Sequence, residues 1–543
     1  MSRKLVPLLL ALTLIVGILA ACSGGNNDGN KNGGTNEPPK QSTGNNNPGE
    51  TKEPEADPNK YGDTGGLKLP IVDKPTTISM YVASDAQDLN EKWVAKELEE
   101  RTGIKVDFQF FSTATYKDKM KVTLASGKLP DIIHGLTVPE INEMGGAGAF
   151  VAINDYIDEL PNFKKLYVEE NGWVMKSYSD DEGKMYTWPI YGLNREVNHG
   201  FLYRKDIFDK NNIPMWTNTE EFYQALKQLK EIYPDSFPFA SKTKEFIFRD
   251  WGYGWGVTGD NYPMNFDEAA HQWEYSFTQP EYREMLDFMK KLYQEGLLDP
   301  EFLTDTSASW SAKMTANDKA FVTFDWIGRL DLFYNQIKEQ SPDYNLRYAN
   351  PVGPENTIRS LPQITMFGHA VANNKNKEVA LKLLDYLTSP SGAELMTMGE
   401  QGDNYEFDAN GKVSYPELKD VELIEIKALE EKYGMWVQGA YVRTDHRSVY
   451  YNFTEKEQEA QDMMKDMKQP LDPVLKFTDE ENSTIADVTT ELLKAGEEFS
   501  SKYIFTASYG DKEWEEWKAK AKSLGEDDYV GAYNDAQARF DSE

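Results

Sequence analysis

Cysteine occurs once in 543 residues and histidine five times, which leaves little room for redox or metal chemistry. A single thiol cannot form an internal disulfide, so whatever folds here is held by packing and hydrogen bonds. The histidines, His134, His199, His271, His369 and His446, are scattered without metal-ligand spacing; neither zinc nor any other metal or cofactor is expected. Positive charge is also scarce, with 58 Lys and Arg against 90 Asp and Glu, a formal net charge of −32. Such a chain repels nucleic acid and anionic lipid headgroups, and neither is expected as a partner. The one long apolar run, from Leu5 to Ala20, is short for a membrane span of about 20 residues. Heptads and internal repeats are absent.

That run follows Arg3 and Lys4 and ends in Leu19-Ala20-Ala21-Cys22, which reads as a secretory leader closed by a bacterial lipobox. The sequence therefore predicts removal of residues 1–21, a diacylglyceryl group on the Cys22 sulfur, and export to the outer face of the cell membrane. A buried thiol beside a first helix is the alternative. From 22 to 66 the composition is mostly Asn, Gly, Pro, Lys, Glu and Thr, too polar to offset the entropy of ordering. This predicts a flexible tether on the order of 35 Å in root-mean-square reach.

Periodicity then predicts a strand over Thr76–Ala83 and a helix over Asp88–Thr102 stopped by Gly103. A strand follows over 104–110, a helix over Tyr116–Ser126 ends at Gly127, and a further strand begins at Pro130. This alternation indicates an α/β fold with a parallel sheet, in which ligands bind at the carboxyl ends of strands. Later, Thr217 and Asn218 offer caps to an amphipathic helix, and Lys377–Ser389 forms another, closed by Pro390. The chain length calls for at least two cores.

Several pieces, in this order, resemble the extracellular solute-binding proteins of ABC sugar importers, in particular the long oligosaccharide-binding lipoproteins. They are TLASGKLPDII at 123–133, YTWPIYGLNREVNHGFLYRKDIFDKNNIP at 186–214, YQEGLLDPEFLTD at 293–305, VANNKNKEVALKLLDYLTSPSGAELM at 371–396, GEQGDNYEFDANGKVSY at 399–415, and EWEEWKAKAKSLGEDDYVGAYNDAQARF at 513–540. The resemblance implies a monomer of two α/β lobes in the periplasmic-binding-protein (Venus-flytrap) arrangement, with an interdomain ligand cleft and no catalysis. It places lobe 1 at 67–197 and 354–408 and lobe 2 at 198–353 and 409–543, with crossings near Val197, Pro354 and Asp408. The implied partners are an oligosaccharide and the membrane subunits of an ABC permease. Relatives often carry an Asp- and Asn-rich, calcium-type loop after the helix that corresponds to 217–232. Here that place reads Tyr233–Phe239 with a single carboxylate, and calcium needs six to eight oxygens.

The same resemblance sets Asp85, His134 and Thr137 on cleft-facing loops, although Asp85 could instead cap a helix. Asp131, inside a family motif, reads as structural. Trp188, Tyr191, Trp251, Tyr253, Trp255, Trp310, Trp326 and Tyr405 offer flat faces for stacking on sugar C–H groups, against a core role for each. Trp326 is favoured among them, and Asp325 beside it would accept sugar hydroxyls or cap a helix. Glycine clusters at 145–148 and 252–256 lack a nucleotide-loop context. Glu513, Glu515 and Glu516 around Trp514 and Trp517 read as a solvated helix face rather than a glycosidase pair. A cell-surface glycoside hydrolase or polysaccharide lyase remains the alternative, and a peptide-binding receptor of the same architecture a third.

Overall fold

In the computed structural model, which describes residues 60–542 except Thr243, Asn410, Glu422 and Leu423, the predicted strands share one five-stranded sheet, and a separate three-stranded sheet and two short two-stranded ribbons form from the rest. The leader, Cys22 and residues 23–59 lie outside the described residues. The end of the expected tether does not behave as one. Thr64 is buried, its carbonyl accepts from Asn162 Nδ2 at 3.1 Å, and the Asp63 carbonyl accepts from the Ser391 amide at 2.9 Å. The Arg101 guanidinium also lies 4.9 Å from the centre of the Tyr61 ring. Residues from Tyr61 onward therefore belong to the folded body.

The first sheet runs in the order Ile104–Phe111, Thr76–Ala83, Ile132–Thr137, Ile364–Val371, Trp188–Tyr191. Its first three strands are parallel, as alternation of strands and helices requires. Ile364–Val371 enters antiparallel to both neighbours, so the sheet is mixed rather than purely parallel. Gly103 and Gly127 close the preceding helices at φ of 73° and 67°, a left-handed conformation that costs glycine little. The first helix is shorter than predicted: Leu89–Glu91 is a 3-10 turn, and the α-helix proper spans Trp93–Thr102. Ser389 ends the Lys377–Thr388 helix and caps Pro390–Thr397, so Pro390 opens a helix as well as closing one.

The second sheet has three antiparallel strands, Val322–Trp326, His199–Arg204 and Leu346–Tyr348. Against it packs the Thr219–Ile232 helix, whose N-cap Asn218 accepts from the Glu221 amide at 3.0 Å. The C-terminal helices Asp479–Phe505, Asp511–Ser523 and Glu526–Ser542 add Leu492, Trp514, Trp517 and Tyr529 to the same core.

Buried apolar side chains fall into two large clusters. One unites Ile78, Val106, Trp188, Leu384 and Val442; the other unites Phe201, Phe222, Trp251, Phe324 and Trp517. The chain passes between them at Leu193–Val197, at Ile358–Ile364 and at Tyr450–Phe453. The third passage corrects the one expected near Asp408. Val413, Tyr415, Leu429, Tyr433 and Trp436 all bury themselves in the first cluster, so the chain cannot leave it until these side chains are spent.

Asp131 has the structural role its motif suggests. One carboxylate oxygen accepts from the Ser79 amide at 2.7 Å and the Ser79 hydroxyl at 2.9 Å, the other from Asn374 at 2.9 Å and Asn376 at 3.0 Å. Burial alone would raise its pKa, but these donors outweigh it and hold the group below the usual 3.8. A depressed carboxylate stabilises the fold above its unfolded value and loses that contribution as pH falls through the folded one. Asp131→Ala should therefore cost about 2–4 kcal/mol at neutral pH. In urea titrations the gap from wild type should narrow below about pH 4; a constant gap would remove the charge from the explanation.

Candidate functional site

The two sheets present particular ends to the passages between the cores. Trp188–Tyr191 stops at Tyr191 just before the first passage, and His199–Arg204 begins just after it. Ile364–Val371 starts directly after the second. Register then brings Tyr191 beside Ile364, Thr137 beside Phe367, and His199 beside Trp326. These strand ends lie next to the passages between the two cores.

On the first edge, Met366 and Phe367 are exposed apolar side chains, 44% and 40% accessible, where a strand interior would bury one of each adjacent pair. Tyr191 is half-buried; its hydroxyl accepts from Gln363 Nε2 at 2.5 Å, and the Arg443 guanidinium lies 5.3 Å from its ring centre. Arg443 also donates to the Thr388 carbonyl at the end of its helix, at 3.2 Å. Asp85, exposed at the end of Thr76–Ala83, caps no helix and accepts from the Thr113 hydroxyl at 2.6 Å.

On the second edge, Trp326 is the one tryptophan among the exposed large apolar residues, 36% accessible, with its ring folded over Gly328. A Cβ there would fall 2.2 Å from the ring, so the indole could keep this position only over glycine. Asp325 is buried beside it, bonded to the Lys242 ammonium and to Arg329 Nε at 2.7 Å. It is a saturated ion-pair centre, so neither of its expected alternatives, a free acceptor or a helix cap, describes it. His199, across from Trp326, is lowered to about 4 by desolvation, with Lys242 and Arg249 adding and Asp325 opposing. Asp250 is raised to about 7 by burial despite Arg249 at 3.1 Å.

Several expected contacts are core residues instead. Trp188 is fully buried, donating through Nε1 to the Thr388 hydroxyl at 2.9 Å with Phe163 edge-on at 4.7 Å. Trp251 and Trp255 stack 6.1 Å apart inside the second core, and the glycines around them expose neither. There, a Cβ on Gly254 would meet the Val352 carbonyl at 1.7 Å, so that glycine admits a neighbouring backbone. Trp310 donates to the Thr323 hydroxyl at 3.0 Å from a buried position, and Tyr405 is buried with its hydroxyl on Glu394. Thr137, by contrast, stays exposed at its strand end, where its amide and hydroxyl both donate to Glu140 at 2.8 Å in a capping box. His134 is buried 4.9 Å from His369, and desolvation lowers both pKa values, which keeps them neutral at pH 7. Met366, Phe367, His199, Lys242 and Arg329 were not among the expected contacts. The paired apolar residues of ITMFGHAV are the only sequence signal for any of them.

Elsewhere, Asp299, Glu301 and Asp305 place carboxylate oxygens within 4.8 Å of one another, the one cluster among the described residues with metal-ligand potential. The Lys313 ammonium bonds all three at 2.7, 2.6 and 2.8 Å. Asp299 and Glu301 line a depression of about 330 Å³ together with Asp235 and Phe237, so these carboxylates sit beside Tyr233–Phe239 without coming from it.

The sequence profile described as bacterial extracellular solute-binding protein matches residues 83–394. The chain is 24% identical over 507 residues to the fructooligosaccharide ABC transporter substrate-binding protein FusA of Streptococcus pneumoniae, covering 86% of this chain and 90% of that one. It is 24% identical over 472 residues to the polygalacturonan/rhamnogalacturonan-binding protein YtcQ of Bacillus subtilis, covering 81% and 88%. The alginate-binding protein AlgQ2, solved without calcium ion, superposes with a TM-score of 0.66 at 23% identity, over 86% of this chain and 99% of that one. The two-lobed α/β fold is therefore shared with solved binding proteins.

The contrast in burial is directly measurable. Trp188→Ala should lower unfolding free energy by roughly 3–5 kcal/mol, whereas Trp326→Ala should cost about 1 kcal/mol or less. Chemical denaturation of both variants checks this; equal losses would place Trp326 in the core.

Proposed function

Because the chain belongs to the bacterial extracellular solute-binding proteins, we propose that it captures an oligosaccharide between its lobes and hands it to the membrane subunits of an ABC importer. The observation that carries this reading is the pair of exposed apolar edges at the passages, Trp326 on one core and Met366 with Phe367 on the other. Flat and flexible apolar surfaces suit the C–H faces of pyranose rings, and polar groups around them suit hydroxyls. FusA, a fructooligosaccharide-binding protein, and YtcQ, a polygalacturonan/rhamnogalacturonan-binding protein, support the same class.

Mechanically, a ligand touching both edges favours the closed arrangement by its differential affinity, and the permease reads closure as loading. The passages at Leu193–Val197, Ile358–Ile364 and Tyr450–Phe453 are the hinge. A monomer suffices, since both edges come from one chain. Cys22 carries the lipid, and the polar segment after it lets the body reach the permease. The chemistry is binding without turnover.

Isothermal titration against a panel of oligosaccharides should find a ligand, and chromatography should return it unchanged. Shorter products, lost on mutating a cleft carboxylate, would favour a hydrolase. Trp326→Ala should weaken that ligand about ten- to a hundredfold while the variant stays folded; unchanged affinity would remove the second lobe's edge from the site. Cys22→Ala should move the protein out of the membrane fraction or leave an uncleaved precursor, and unaltered fractionation and mass would exclude the anchor.

A further inference from the structure

The charges beside Trp326 are not balanced. Asp325 has a fully buried side chain and carries two cations, Lys242 on one oxygen and Arg329 on the other. Neither cation has a second carboxylate partner among the described residues. One cation would neutralise Asp325; the second is in excess. Both side chains are about a quarter accessible, 24% each, so they are partly desolvated yet within reach of a ligand.

The surroundings do not supply the missing negative charge. Asp250 interacts with Lys242 and Asp325, but Arg249 already holds it, so even a charged Asp250 leaves one cation in excess. His199 stays neutral there and cannot compensate in either direction. The Trp310 ring lies 5.5 Å from both cations and offsets part of their desolvation by its π face, without a formal charge. A local excess of positive charge in a chain of net charge −32 is not needed for solubility. An anion delivered by the ligand would complete the set, because a partly buried, unmatched cation is costly.

Resting on the oligosaccharide reading above, we propose that Lys242 and Arg329 receive an anionic substituent of a sugar stacked on Trp326, and that the substrate class is a uronic-acid oligosaccharide. The guanidinium and ammonium meet a planar carboxylate at hydrogen-bonding range, and the indole holds the ring that bears it. Sulfate esters present the same charge in a tetrahedral form and are the source to be distinguished.

The test titrates the purified, intact protein with oligogalacturonate, its methyl ester, a sulfated neutral oligosaccharide and an unmodified neutral oligosaccharide. Oligogalacturonate should bind at least about tenfold more tightly than its methyl ester, with an advantage that shrinks as salt rises. Lys242→Met should abolish that advantage, and Lys242→Arg should restore it, which separates charge recognition from a packing role. Trp326→Ala should weaken acid and ester alike. Thermal unfolding of each variant verifies that it is folded, and Arg329→Gln serves the same comparison if Lys242→Met is not. Equal or tighter binding of the ester or the neutral oligosaccharide would overturn the acidic class while leaving the sugar receptor intact. Binding of the sulfated glycan but not the uronate would overturn the carboxylate assignment. Failure of every glycan would overturn both readings.

Discussion

Arg195 holds the three passages between the cores together. It lies in the first passage; its carbonyl accepts from the Leu361 amide of the second at 3.1 Å, and its guanidinium lies 3.5 Å from the ring centre of Tyr450 in the third. It also donates to the Tyr450 carbonyl, and a second ring, Phe453, stands 5.2 Å away. One residue thus joins three backbone segments that are far apart in sequence, its carbonyl bonding the second and its guanidinium the third. Everything proposed for ligand capture depends on this junction, because the exposed edges can meet only if the passages stay side by side. The planar guanidinium suits the task, since it stacks on a ring and donates in its own plane at once.

The use of aromatic residues follows from the lack of disulfides. With a lone cysteine, each lobe must be secured by burial, and large rings remove the most apolar surface per residue. Hence Trp188, Trp216, Trp251, Trp273 and Trp310 are all fully buried. Their indole N–H groups are mostly paired internally, as with Trp216 on the Asn350 carbonyl and Trp273 on Gln537. Trp326 departs from this pattern in position rather than in composition, standing at a strand end over a glycine.

Where several carboxylates come together, a cation joins them. Lys313 gathers three carboxylates, and Arg359 joins Asp260 and Asp472 with side-chain distances of 2.5 and 2.8 Å. Such clusters neutralise carboxylates that burial would otherwise push toward protonation. Against that background the two cations on Asp325 reverse the usual balance, and they do so at the strand end beside the exposed Trp326.

Local order determined much of what was legible in the sequence. The strand Thr76–Ala83 and the helix Tyr116–Ser126 appear with the expected bounds, and Gly103 stops its helix, because periodicity and a left-handed glycine act over a few residues. Asn218 caps its helix for the same reason, and the ordered family landmarks carried the two-lobed fold. Tertiary structure alone decided which rings face solvent. Trp188 and Trp326 each lie in a strand of aromatic and branched residues, and only the packing of Phe163 and Thr388 onto one, and of Gly328 under the other, separates core from edge. The third passage was illegible as well, since it depends on where Val413 to Val442 find apolar neighbours. The pairing of Lys242 with Asp325 joins residues more than eighty positions apart, and no local pattern specifies a contact between side chains that only folding brings together.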